Sequence, residues 1–202
     1  GKVDFIPANL MELPYLFLSG AVAVDVAVIA TSPPGDNGFV SLGVAVDVAN
    51  IVAKQASLVI AEINPNMPVT LGETFLHISS FDYVVESDLP LIERESKSYD
   101  SIMDRIGWNI SNLIEDGSTV VLHLGRVFNA LADHLKSKKN LGILTHVISD
   151  WAIDLIKSGA ISLYRNRYNG GLITASYCYG SRALYDYVSR NPIFEFYPIA
   201  RL

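Results

Sequence analysis

Sulfur, charge and long apolar stretches are all scarce in this chain of 202 residues. A single cysteine, Cys178, excludes an internal disulfide and a cysteine-rich zinc site. Charged residues make up 18% of the chain, below the roughly 25% usual in soluble domains, while 50% is apolar. So much apolar surface calls for buried parallel strands, or for a large face covered by something else. The longest apolar runs, such as residues 21–30, are interrupted by Asp25 and are too short to span a membrane. A net charge of −6 argues against a nucleic-acid backbone as partner, since that needs clustered Lys and Arg. It leaves room for a nucleotide-like ligand, because backbone amides and helix N-termini hold phosphates without net positive charge. No His, Asp and Glu cluster has metal-ligand spacing, so no metal is expected. The first residues show no charged-then-apolar leader with a small-residue cleavage site. A cytoplasmic protein, with neither membrane nor nucleic acid as partner, is the expectation.

What is present is an alternation of short apolar runs and amphipathic segments. Residues 116–150 carry it most clearly. An apolar strand over 119–124 runs into a glycine turn at Gly125, a helix to about Ser137, a lysine-rich turn and a second strand over 141–146. That is a βα unit, and open α/β sheets keep ligands at the carboxyl ends of their strands. Gly125 and His146 fall at such ends. Earlier, strands are predicted over 3–7, 25–31, 39–42 and 57–63, with further short extended pieces over 75–80 and 83–86. Helices are predicted over 10–18 and 46–55. Later, the isoleucine spacing predicts a helix over 99–116 closed by Gly117. Helices over 150–158 and 181–190 and strands over 172–177 and 193–197 complete the pattern. Ser149 or Asp150 is the expected cap of the first of those helices. Residues 90–100 are charged without an apolar period and are expected to be a solvated linker. The fold class is therefore α/β, with open, mostly parallel sheets flanked by helices.

Several residues have chemistry to offer, each beside a plainer reading. His146, at a strand end, suits a general base or an acyl acceptor, or is a half-buried histidine bonded to backbone. His123 and His77 sit in apolar runs and read as structural. Gly125 and Asn129 suit a backbone-amide pocket for an oxyanion or a phosphate, though a tight strand-to-helix turn needs a glycine anyway. Glu62 ends a buried strand and reads equally as a base or an ion-pair partner. Cys178, between two tyrosines, reads as a small core residue. From these signals alone the chain is a soluble α/β protein with a ligand crevice.

The loops go further when taken together. Ser32-Pro33-Pro34-Gly35-Asp36-Asn37-Gly38, continuing to Ser41-Leu42-Gly43, resembles the SPPD-x-x-G-x-x-SLG loop of the acetyl-CoA hydrolase/transferase family, with Gly35 in place of its Asp. Ile60-Ala61-Glu62-Ile63-Asn64 with Met67-Pro68 resembles that family's IAEVN-x-x-MP segment, and Phe75-Leu76-His77-Ile78 and residues 82–86 fit the family's next segments along the chain. Gly180-Ser181, Leu184-Tyr185-Asp186-Tyr187-Val188 and Asn191-Pro192 resemble its GS-x-x-LYDFV-x-x-NP segment.

The resemblance implies two similar α/β halves with the active site between them. Residues 1–95 would end the first half and 96–202 begin the second, in the middle of a longer protein. It implies acyl-CoA and a small carboxylate as substrates, coenzyme A as the carried group and a homodimer. In such enzymes a glutamate attacks the thioester. Here the family's T-E motif falls on Thr145-His146, ahead of Ser149-Asp150, so the nucleophile position holds His146. Asp150 is the nearest alternative carboxylate. The glycine-rich turn falls on residues 123–130, with His123 at its first glycine and bulky Phe128 where a smaller residue is usual. Gly125, Val127 and Asn129, with Gly180, are the implied CoA-binding positions. Three readings remain open: a family enzyme with His146 as base, a conventional CoA-transferase using Asp150, and a CoA-binding or structural homologue without turnover.

Overall fold

The β-branched run after Asp25 forms β1 (Val26–Thr31), and residues 57–63 form β3 (Leu58–Ile63), in a computed structural model that describes residues 3–161 and 173–202. The two strands pair in parallel, Val26 opposite Leu58, and β5 (Tyr83–Glu86) adds beyond β3. Parallel strands need a crossover, and α2 (Ala49–Gln55) supplies it between β1 and β3. Ala27 and Ile29 point into the core, whereas Val26 and Val28 are 50% and 66% exposed on the other face. A short antiparallel pair, β2 (Phe39–Ser41) with β4 (Phe75–His77), lies beside this sheet, and the short helix α1 (Leu13–Leu18) precedes it. The strand expected over 3–7 does not form. Val3 and Phe5 are almost fully exposed there and no strand pairs with them.

A second run of parallel pairing comes after residue 118. β6 (Thr119–Val120) pairs with β7 (Gly142–Ile143), and β9 (Ile173–Ala175) pairs with β11 (Phe194–Phe196). A bridge from Leu144 to Thr174 joins the two pairs. β8 (Val147–Ile148) pairs with β10 (Tyr177–Cys178). The strand expected over 141–146 thus breaks at a bend on His146 and resumes as β8. The one expected over 172–177 is likewise split into β9 and β10, and residue 172 lies outside the described residues. The helices are α3 (Ser101–Ser111), α4 (Arg126–Leu135), α5 (Trp151–Lys157) and α6 (Arg182–Val188). Asp100 caps α3, its carboxylate accepting the N–H groups of Ile102 (3.1 Å) and Met103 (2.9 Å).

The two runs of strands are stitched together through backbone. Phe196 N–H donates to Leu71 O (2.7 Å), Glu73 N–H to Phe196 O (2.9 Å), Cys178 N–H to Val44 O (2.8 Å) and Val46 N–H to Ser176 O (3.1 Å). One apolar cluster runs from Ala27, Val40 and Val59 through Leu122 and Ile148 to Tyr185 and Phe196. The stretch expected to be a solvated linker has no regular structure but is held down. Arg94 N–H donates to Gly180 O (2.9 Å), Tyr185 hydroxyl to Ile92 O (2.8 Å), and Glu93 carboxylate accepts the N–H of Arg182 (2.8 Å).

Candidate functional site

His146 sits where the two runs of strands meet. The bend that carries it is fixed by Thr145, whose hydroxyl lies against the carbonyls of Leu122 and Val147 (the latter at 3.0 Å) and accepts the N–H of Val147 (3.2 Å). The carbonyl of His146 accepts two N–H groups, from Ser176 (3.1 Å) and Tyr177 (3.0 Å). The backbone is thereby immobilised while the ring is left to the seam. The ring is half-buried, and Nδ1 is a buried atom with no hydrogen-bond partner. Burial, then the neighbouring His123, holds the His146 imidazole below its ordinary pKa, while Asp47 pulls the other way. A neutral imidazole at pH 7 is the form that accepts a proton.

His123 is brought to the same place, its ring centroid 6.1 Å from that of His146 and 5.9 Å from that of Phe128. Gly125 begins α4 at φ 144°, in the left-handed half of φ space that glycine tolerates. The first N–H groups of any α-helix lack intrahelical acceptors, so the start of α4 offers amides beside the His123–Phe128 contact. Val127 and Asn129 lie in that first turn, both half-buried. The Asn129 side chain turns elsewhere: its amide donates to Ser96 Oγ (3.0 Å) and Lys97 O (3.2 Å), holding residues 96–97.

Asp150 does not cap α5 through its side chain. Its carboxylate accepts both the N–H (3.2 Å) and the hydroxyl (2.5 Å) of Ser181 at the start of α6. Gly180 permits that approach, because a Cβ there would stand 2.7 Å from Asp150 Oδ2. Asp150 and Asn129 line a cleft of about 480 Å³ with Trp151, Lys136 and Lys157. A second cleft, of about 670 Å³, lies between the Ser32-Pro33-Pro34-Gly35 loop, Met67 and Arg190. His146 lines neither. His77 is held by Ser79, its Nδ1 2.7 Å from the hydroxyl. Cys178 is buried, and burial pushes its thiol well above the usual range, which suits a core residue. Among the described residues no group of three His, Cys, Asp or Glu side chains is placed to hold a metal, and no helix is long and apolar enough to cross a membrane.

Sequence reasoning missed Asp47. This residue belongs to the loop after β2, with backbone φ 28°, and its carboxylate interacts with His146 across the seam. The available signal was an acid set in an apolar run, Val44-Ala45-Val46-Asp47-Val48.

Residues 1–93 match the model of the acetyl-CoA hydrolase/transferase N-terminal domain. The chain is 41% identical to the 4-hydroxybutyrate coenzyme A transferase of Clostridium kluyveri over 98% of its own length and 46% of that protein's. It is 32% identical to the succinyl-CoA:acetate/propanoyl-CoA:succinate CoA transferase of Fasciola hepatica, over 99% of its length and 42% of the relative's. It therefore spans a little under half of the curated relatives it matches. The crystal structure of 4-hydroxybutyrate CoA-transferase from Porphyromonas gingivalis is similar to it at a TM-score of 0.90 and 35% identity, over 95% of this chain and 49% of that one. The order of loops, the parallel sheets and the matches along nearly the whole length agree, and the chain belongs to the acetyl-CoA hydrolase/CoA-transferase family.

Proposed function

We propose that this chain is part of an acyl-CoA-processing enzyme, one that moves CoA between small carboxylic acids or hydrolyses the thioester. The observation that carries the reading is His146. The resemblance of Thr145-His146 to the family's T-E motif puts it at the nucleophile position, and it lies on a bend clamped by backbone bonds at the meeting of the two strand systems. Its substrates are acyl-CoA and a small carboxylate, with CoA the carried group and no metal needed. The amides at Gly125 and Val127, with the Asn129 turn and the Gly180 bend, are the CoA-binding positions. Residues 1–95 end one α/β half and 96–202 begin a second; the family match ending at residue 93 supports that division. The whole protein is a cytoplasmic homodimer.

His146 acts as base rather than as the family's carboxylate nucleophile. A neutral imidazole takes a proton through Nε2 from water attacking the thioester carbonyl. Asp150 is the weaker candidate for a substitute nucleophile, because Ser181 holds its carboxylate. A second reading, CoA binding without turnover, is favoured by the loss of the family's glutamate at residue 146. The protein incubated with acetyl-CoA and followed by mass spectrometry decides among them. Release of free CoA, lost by about 10²-fold or more in His146→Ala and kept in Asp150→Ala, is the expected result. Loss only in Asp150→Ala points to the transferase with that nucleophile. No adduct, free CoA or transferred acyl group with several acyl-CoAs leaves the binding protein.

A further inference from the structure

Three buried polar atoms at the seam lack partners, His146 Nδ1, Asp47 Oδ1 and Ser176 Oγ, and the first two are complementary as the ends of an imidazole–carboxylate bond. Buried polar groups are nearly always hydrogen-bonded, so an orphaned donor and an orphaned acceptor at one seam need a reason. Asp47 is also one of only three non-glycine residues among those described with positive φ. Its backbone is held there from two sides: its N–H donates to Ser176 O (3.3 Å), and its carbonyl accepts the N–H of Ile199 (3.1 Å). Strain that neighbouring bonds over-determine is concentrated at working sites. Ser176 in turn donates its N–H to the carbonyl of His146, so a single residue sets the backbones of both partners.

We propose that Asp47 is the positioning residue for His146: its Oδ1 takes the Nδ1–H of the imidazole and turns Nε2 toward the thioester carbonyl. The inference rests on the acyl-CoA reading above and adds to it the residue that sets the base. Bonds of this kind are often long without substrate and tighten when it binds. A carboxylate on Nδ1 fixes the tautomer in which Nε2 is the free acceptor, and it stabilises the imidazolium once formed. Water adds to the thioester carbonyl and its proton passes to Nε2. The carbon–sulfur bond then breaks, and the CoA thiolate takes the proton back from Nε2. Asp47 remains ionised throughout. The other titratable group beside the imidazole is His123, tilted against it, while the Tyr177 hydroxyl feels the Asp47 charge. The electrostatics agree: burial raises the Asp47 carboxyl and lowers the His146 ring, and each opposes the shift of the other.

The test is the titration midpoint of His146 in the intact protein. It is read from the pH dependence of carbethoxylation by diethyl pyrocarbonate, as mass added to the peptide that holds His146. Asp47→Asn keeps the side-chain shape, and asparagine tolerates the left-handed backbone. In this variant the midpoint moves to lower pH, and kcat for acetyl-CoA cleavage falls about 10²-fold with KM little changed. Asp47→Gly, which removes the backbone strain along with the carboxylate, moves the midpoint the same way. An unmoved midpoint in both variants overturns the pairing, whatever happens to turnover. Acyl or CoA mass on Asp47 itself also overturns it, because the carboxylate is then the nucleophile. A midpoint that moves in a protein that turns over no acyl-CoA supports the pairing and sinks the acyl-CoA reading instead.

Discussion

His146 titrates from an unusual position, and that position decides the sign of its effect on stability. Burial first, then His123, lowers its pKa from the ordinary 6.5, so the unfolded chain binds this proton more readily than the folded one. The contribution is fully present above pH 6.5 and is lost as pH falls through the folded value. Asp47 runs the other way: burial raises its carboxyl above 3.8, so its contribution is present below that pH and is lost as pH rises through the folded value. Urea unfolding of the wild type and of His146→Gln at pH 7.5 and pH 5.5 checks the first sign. The wild type should lose more stability on acidification than the variant; an equal loss shows that the ring is not desolvated in the folded protein. Sequence motif placed this histidine, since Thr145-His146 stands ahead of Ser149-Asp150. Motif did not place its company. Asp47, His123 and His146 come from three separate loops, and only the packed fold brings them together. His123 reads as structural because its run is apolar; the strand there ends at Val120, and the ring lies 6.1 Å from that of His146.

Among the elements, α3 and α4 were the most legible, because apolar residues at helical spacing report a buried face directly. The isoleucine repeat gave α3 its existence, but the helix ends at Ser111, well before the expected stop at Gly117, and its cap Asp100 reads as part of the linker. Strands were legible where they are long and buried, as in β1 and β3. They were misjudged where a bend divides a single apolar run, as at His146, because hydrophobicity carries no information about a change of pairing partner. One contact between helices was not legible at all. Gly107 in α3 lies so close to α4 that a Cβ would stand 2.8 Å from the Ala130 carbonyl carbon and from the Leu131 nitrogen. Backbone on a helix cannot swing aside as a long side chain can. Gly107→Ala, which favours the helix by propensity, should nevertheless destabilise the protein by about 1–3 kcal/mol through overpacking. Chemical denaturation measures it; a gain of stability would show that the two helices separate at little cost.

At the scale of the molecule, two strand systems are welded rather than merely adjacent. Residues 71–73 add to the edge of β11, and residues 44–47 run against 176–178, so each system completes hydrogen bonding in the other. The apolar cluster crosses the same seam without interruption. Composition suggested a boundary near residues 90–100, but composition cannot report backbone bonds made by residues far apart in sequence. A core continuous across the seam should unfold as one cooperative unit. Gly72 is the place to test this. It sits at φ 105°, and a Cβ would come within 2.4 Å of Phe196 O, so any side chain pushes the two systems apart. Gly72→Ala should cost about 2 kcal/mol through overpacking, which for a chain of this size lowers Tm by about 4–8 °C. Because the proposed pairing of His146 with Asp47 spans that same seam, the substitution should also reduce any thioester cleavage while the melting remains a single transition. Calorimetry that resolves two separate transitions, in the wild type or the variant, would mean that the seam holds the two strand systems in contact without making them one folding unit, and the proposed pairing of Asp47 with His146 would then depend on a docking equilibrium.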